Sequence, residues 1–230
     1  MTRRDFARWL SLGAVGLAAA AGEADAAGAM ERFLERIRGD LARFRTEQLP
    51  LVETAANRLA ETVSGGGRLC IFDFRGAYAA EALGRAGGLM AISQVTPDTV
   101  TAQDAVVLIT DVASDPRDAA MARAARSAGA YVVAIAPVRR GADGTAALCD
   151  HGIDDYVTDD DAAIRLPGLD TPIAPTSGIM NVAILWTLAA AYVEAMERRG
   201  RVPSIWVSIK CPDAKERNDR SLARAAREGF

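Results

Sequence analysis

The amino-acid sequence predicts an α/β fold, a three-layer αβα sandwich around a parallel sheet. Two observations carry this. First, short runs that are apolar on both faces, "RLCIFDF" (68–74), "DAVVLITD" (104–111) and "YVVAIAP" (131–137), alternate with segments of helical periodicity. Strands buried on both sides and separated by helices belong to parallel sheets covered on both faces. Second, the intervening helices close at a glycine, Gly87 or Gly129, just before the next extended stretch, as helices that hand over to strands do.

The elements follow in order. Met30, Phe33, Leu34, Ile37, Leu41 and Phe44 recur at helical spacing and form the stripe of a first helix. Pro50 suits the first turn of a second, which runs through Leu59 and Val63 to the stop "SGGG" (64–67). The run "RLCIFDF" is followed by the helical "AYAAEALGRAGG" (77–88). "DAVVLITD" is followed by "DPRDAAMARAARSAGA" (115–130), with Asp115 as cap and Pro116 in the first turn. After Pro137 the pattern predicts a short helix, a strand near Asp154 to Val157, and an acidic run "TDDD" (158–161) that reads as a solvated turn. Ser177 to Arg199 is the longest helix and apolar nearly all round, which predicts a central, buried position. "PSIWVSIK" (203–210) reads as a last strand, and a charged, alanine-rich helix follows from Glu216. No linker or repeat divides the chain, so residues 28–230 read as one domain.

Composition narrows the function. The chain has 230 residues, half of them hydrophobic, with a formal charge of −3. Its basic residues are spread among acidic ones rather than gathered in a stripe, which excludes a nucleic-acid binder. Cys70, Cys149 and Cys211 are distant in sequence and odd in number, so neither a disulfide framework nor a zinc site is indicated, and Cys70 reads as core. "CDH" (149–151) has no ligand spacing, "TDDD" lacks the glycine and glutamate of a calcium loop, and His151 reads as a packing residue. No G-x-G-x-x-G or phosphate-binding P-loop follows a strand, so no nucleotide and no other cofactor is expected.

The amino terminus carries a separate signal. "TRRDFARWL" (2–10) sets Arg3 and Arg4 before a weakly apolar segment, and "ADAAGA" (24–29) offers Ala24 and Ala26 in an A-x-A cleavage pattern. Residues 1–27 thus read as a twin-arginine export signal, implying a periplasmic or secreted protein without a stable membrane anchor. Should Met30 be the true start, the protein is cytoplasmic.

In an open parallel sheet, ligands sit at the carboxyl ends of the strands, where helix amino termini offer free N–H groups to anions. Three loops qualify: "DFRGAY" (73–78), "TDVASDP" (110–116) and "APTSGIMN" (174–181). They nominate Asp73, Arg75, Gly76, Thr110, Ser114, Thr176 and Ser177 as ligand-binding residues. Capping is the plainer role of each hydroxyl, Ser177 being a natural cap for the long helix.

The order and spacing of "LAETVSGGGRLCIFDF", "AEALGRAGGL", "AVVLIT", "ARSAGAYVVAIA", "PTSGIMNVAILWTLAAAYVEAM" and "VPSIWVSIKCPDAKERND" resemble the SIS (sugar isomerase) domain, in particular an uncharacterised phosphosugar-binding-like branch that also starts with two helices. The resemblance covers Met30 to about Asn218. It implies a flavodoxin-like five-stranded parallel sheet, a phosphosugar or related carbohydrate derivative such as an amino sugar as ligand, and a homodimer or homotetramer. Three readings follow: a carbohydrate-derivative binding protein; a sugar-phosphate isomerase or lyase with Glu81 or Asp111 as base; or a non-catalytic oligomerisation or regulatory protein whose leading helices pack across a dimer. Glu81 could equally pair with Arg85 one turn on. The chain departs from the family in its first two loops, where glycine and serine give way to Asp73, Arg75 and Asp111, and carboxylates there repel phosphate.

Overall fold

The computed structural model describes residues 28–138 and 144–230; the export-signal reading of residues 1–27 lies outside them. The elements run α1 (Ala29–Glu47), α2 (Leu49–Ser64), β1 (Arg68–Phe72), α3 (Ala77–Ala82), β2 (Ile92–Gln94), β3 (Asp104–Ile109), α4 (Pro116–Ala128), β4 (Tyr131–Ala136), a 3₁₀ turn (Thr145–Leu148), β5 (His151–Asp154), α5 (Ser177–Glu197) and α6 (Ala214–Glu228). The five strands form one sheet in the order β2-β1-β3-β4-β5, every pair parallel. This is the flavodoxin-like order, in which the chain reverses its direction of sheet building between β1 and β3.

Alternation along each strand divides the core. On β3, Ala105, Val107 and Ile109 face a cluster built with Val52, Ala56 and Leu59 of α2 and Met180, Ile184 and Leu188 of α5. Val106 and Leu108 face the opposite side, where Met121, Ala122 and Ala125 of α4 cover them. The sheet is therefore sandwiched, and burying each such Leu, Ile or Met is worth roughly 1.5–3 kcal/mol. Cys70 belongs to the α4 side and is buried, as expected.

The strand inventory differs from the expected one in two places. The fifth strand is β2, three residues paired with Leu69, Cys70 and Ile71 of β1. "PSIWVSIK" makes a single antiparallel bridge, Ile205 to Leu89. Its backbone groups are spoken for otherwise: Trp206 exchanges hydrogen bonds with Gly87 and Gly88 (2.8 and 2.9 Å), and the Asn218 side chain takes both polar groups of Val207 (2.8 and 3.0 Å). β5 starts at His151, three residues before the expected strand, and the chain leaves the ladder after Asp154 because Tyr156 turns into the left-handed region (φ 58°).

Two helices also depart from expectation. α3 stops at Ala82 rather than near Gly87, because Leu83 is extended and Gly84 follows at φ 75°. α5 buries Met180, Ile184, Leu188, Tyr192 and Met196 but leaves Ile179 exposed and Val182, Ala183 and Trp186 half-buried on its other side, so the helix covers the core rather than lying within it.

Candidate functional site

Strand order places the loops after β1 and β3 side by side at the switch point, where open α/β sheets bind ligands. Both loops are shaped by their own carboxylates. Asp73 follows β1 directly; its Oδ1 accepts from the Arg75 amide (3.0 Å) and its Oδ2 from the amides of Tyr78 (2.7 Å) and Ala79 (3.1 Å). Gly76 makes the turn possible at φ 79°, a conformation costly for any side chain. Asp115 caps α4 as expected, accepting from the Arg117 amide at 2.8 Å. The Arg117 guanidinium also binds it through two nitrogens (2.9 and 2.6 Å) and holds its carboxyl at about 2. Arg117 in turn lies over the Phe74 ring, 3.8 Å from its centroid, and so ties the two loops together.

Arg75 bridges the same loops from the β1 side. Its guanidinium pairs with Asp111 and approaches Asp115 at 3.9 Å. Beneath it lies a cleft lined by Asp73, Phe74, Arg75, Ile109, Thr110, Asp111, Asp115 and Asp118 that, with Arg75 in place, is closed even to a water-sized molecule, whereas a ligand pocket usually offers roughly 300–1,000 Å³. Asp118, in the first turn of α4, is 3% exposed, and its Oδ1 has no hydrogen-bond partner. Burial raises its pKa, partly offset by Thr110 and Arg75.

The third loop converges from the far side. α5 begins after Thr176, but neither Thr176 nor Ser177 caps it through its own hydroxyl. Asp161, the last residue of "TDDD", does so from fifteen residues upstream: Oδ1 accepts from the amides of Thr176 (3.1 Å) and Ser177 (3.0 Å), and Oδ2 from Ser177 Oγ (2.6 Å). This part of the acidic run is therefore a structural cap, not a solvated turn. The segment holds its shape against backbone strain, with Asp161 at φ 41° and Ala174 at φ 68°, the kind of conformation that concentrates at functional sites.

A buried polar group connects the loops. Asp155 and Asn181 are fully buried; Asp155 Oδ2 and both side-chain atoms of Asn181 have no hydrogen-bond partner. Burial drives the Asp155 carboxyl up to about 7, with Asp154 and Asp111 adding to the rise and Asn181 opposing it. Tyr78, on α3, is raised by burial and eased by Ser177 and Asn181. Asp155, Asn181 and Tyr78 thus sit between the Asp111 loop and the start of α5.

Of the residues nominated from sequence, Asp73, Arg75, Thr110 and Asp111 line the cleft. Gly76 supplies its turn. Thr176 and Ser177 belong to the adjoining α5 terminus, with the Thr176 hydroxyl unpartnered. The Thr110 hydroxyl is engaged with the backbone of Val112 (3.2 and 3.3 Å). Ser114 is exposed and does not line the cleft. Glu81 pairs with Arg85 at 3.0 Å on α3. His151 meets the Tyr131 hydroxyl at 2.8 Å at the opposite end of the sheet, a packing role. Tyr78, Asp118, Asp155, Asp161 and Asn181 were not nominated. Among the described residues no three His, Cys, Asp or Glu side chains converge to hold a metal ion.

Comparison with known proteins places this geometry. The fold is similar to that of Vibrio vulnificus NanR, solved with ManNAc-6P (TM-score 0.51, 12% identity, 91% of this chain and 73% of that one). It is also similar to an E. coli CFT073 protein solved in complex with a sugar phosphate (TM-score 0.50, 14% identity, 74% of this chain and 89% of that one). The chain thus shares its fold with sugar-phosphate-binding proteins. In sequence it is similar to UPF0309 proteins of Streptomyces griseus (27% identity over 232 residues, 83% of this chain and 92% of the relative) and Streptomyces coelicolor (26%, with the same coverage). Residues 32–160, more than half of the chain, match the domain of unknown function DUF2529, and the chain belongs to that family.

Proposed function

We propose that the protein binds a carbohydrate derivative without a phosphate group, an amino sugar or related compound, at the carboxyl edge between β1 and β3. One observation carries this reading: the helix termini that would accept phosphate are each held by a carboxylate of the chain itself, Asp73 on α3, Asp115 on α4 and Asp161 on α5. A phosphate brought there would displace these carboxylates and meet their repulsion. The shared fold with proteins solved with sugar phosphates supports a sugar-sized ligand, and the carboxyl edge is where open parallel sheets bind their ligands. The reading of residues 1–27 as an export signal points the same way, since export would carry the protein away from cytoplasmic sugar phosphates. Thermal-shift measurements against paired sugars test the reading: unphosphorylated members should raise the midpoint and phosphorylated ones should not.

A second reading, a sugar isomerase or lyase, is favoured by Asp155. A carboxyl raised by burial to about 7 is matched to proton transfer, and Asn181 lies beside it. Product formation by the wild type but not by Asp155→Asn would support it.

The assembly we propose is a homodimer. Met30 and Leu34 of α1 and Ile179 of α5 are 84, 62 and 43% exposed, apolar side chains that a second copy would cover.

A further inference from the structure

We infer that the ligand of the carboxyl-edge cleft carries a positively charged amino group, and that this group takes the place now filled by the Arg75 guanidinium, which pairs with Asp111 and approaches Asp115 in the cleft that Asp118 also lines. The inference rests on the reading of an unphosphorylated carbohydrate ligand and names the charge that the same site selects.

Charge is the first ground. Four carboxylates line the cleft, and Arg75 is its single lining cation. Asp73 is satisfied by three backbone amides and Asp115 by Arg117. Asp111 depends on Arg75, and Asp118 keeps one buried oxygen with no partner at all. When Arg75 leaves, two carboxylates remain uncompensated at one small site, and a cation is what relieves them.

Mobility is the second. The Arg75 side chain is 46% exposed, whereas those of Asp115 and Asp118 lie beneath it, largely out of water. Arg75 can swing to solvent without disturbing the core, which opens the cleft, while the carboxylates stay anchored on β3 and α4. The resident guanidinium is thus an internal competitor for a cationic ligand.

Size and geometry select the ligand class. The described residues offer no set of three carboxylates, thiols or imidazoles arranged around a metal ion. With Arg75 in place the cleft is closed even to a water-sized molecule, so the ligand's amine enters only the space that the guanidinium vacates, and a single small cationic group is what that space takes.

Isothermal titration of glucosamine and N-acetylglucosamine against the wild type, Arg75→Gln and Asp118→Asn tests this, because the two sugars share a skeleton and differ in the charge on nitrogen. Glucosamine should bind at least tenfold more tightly than N-acetylglucosamine. Arg75→Gln should tighten glucosamine several-fold, and Asp118→Asn should weaken it at least fivefold, each variant first confirmed folded by circular dichroism. Equal binding of the two sugars overturns the inference and leaves the carbohydrate site standing. Binding of neither, or binding of glucosamine 6-phosphate alone, overturns the site reading itself. Should Asp118→Asn not fold, Arg75→Gln decides, and an unchanged or weaker glucosamine affinity in that variant counts against the exchange of cations.

Discussion

Asp161 accepts a hydrogen bond from Ser177 Oγ at 2.6 Å while its other oxygen takes the Ser177 amide at 3.0 Å. One side chain therefore satisfies the start of the longest helix across a span that includes a strained residue, Ala174. Replacing Asp161 with Ala should cost about 1–2 kcal/mol, the worth of a helix cap, read as a lower urea midpoint. The freed amides should also bind inorganic phosphate, which the wild type should not. Stability and phosphate response both unchanged would remove Asp161 from its place as the chain's own anion.

Ala174 sits at φ 68°, where a Cβ is unfavourable. Glycine there should stabilise the fold by about 1 kcal/mol, the relieved strain outweighing the entropy that glycine adds to the unfolded chain. Chemical denaturation checks this, and destabilisation would mean that the loop conformation imposes no cost on alanine.

Asp155 makes stability depend on pH. Its carboxyl is raised from 3.8 unfolded to about 7 folded, by burial first and then by Asp154 and Asp111. The folded state thus holds a proton that the unfolded state releases between these values. The stabilisation is full below about pH 4 and is lost as pH rises through 7. The swing is about 4 kcal/mol at most. Asp155→Asn should flatten the profile over this interval and raise the melting temperature at pH 8; an unaltered slope would contradict the buried, protonated state.

The exposed apolar side chains of α1 and α5 lead to a measurement of mass. Leu34→Glu and Ile179→Glu change exposed side chains, so each should fold while shifting the protein from dimer to monomer in light scattering. A wild type that is monomeric at tens of micromolar would rule out this interface.

Much of the fold was legible because β1, β3 and β4 are apolar on both faces, and a run of that kind does not need its neighbours to be recognised. β2 was not: Ile92, Ser93 and Gln94 carry no pattern, and the strand exists because β1 offers it a partner. The reverse holds for "PSIWVSIK", whose apolar texture suggests a strand although Asn218 and the 87–90 loop occupy its backbone. At the site, Asp73, Arg75, Thr110 and Asp111 were found from their position after strands. Asp161 was missed because its partners are fifteen residues away, and an acidic run next to a loop looks solvated. Asp118, Asp155 and Asn181 were missed for a different reason. Their chemistry comes from burial without partners, which side-chain periodicity does not encode.

The central claim is that the carboxyl edge selects an unphosphorylated ligand because Asp73, Asp115 and Asp161 stand where phosphate would. Titration calorimetry of the purified protein with glucosamine and with glucosamine 6-phosphate, under identical buffer, tests it most directly. The unphosphorylated sugar should bind at least tenfold more tightly than its phosphate ester; equal or tighter binding of the ester would contradict the claim.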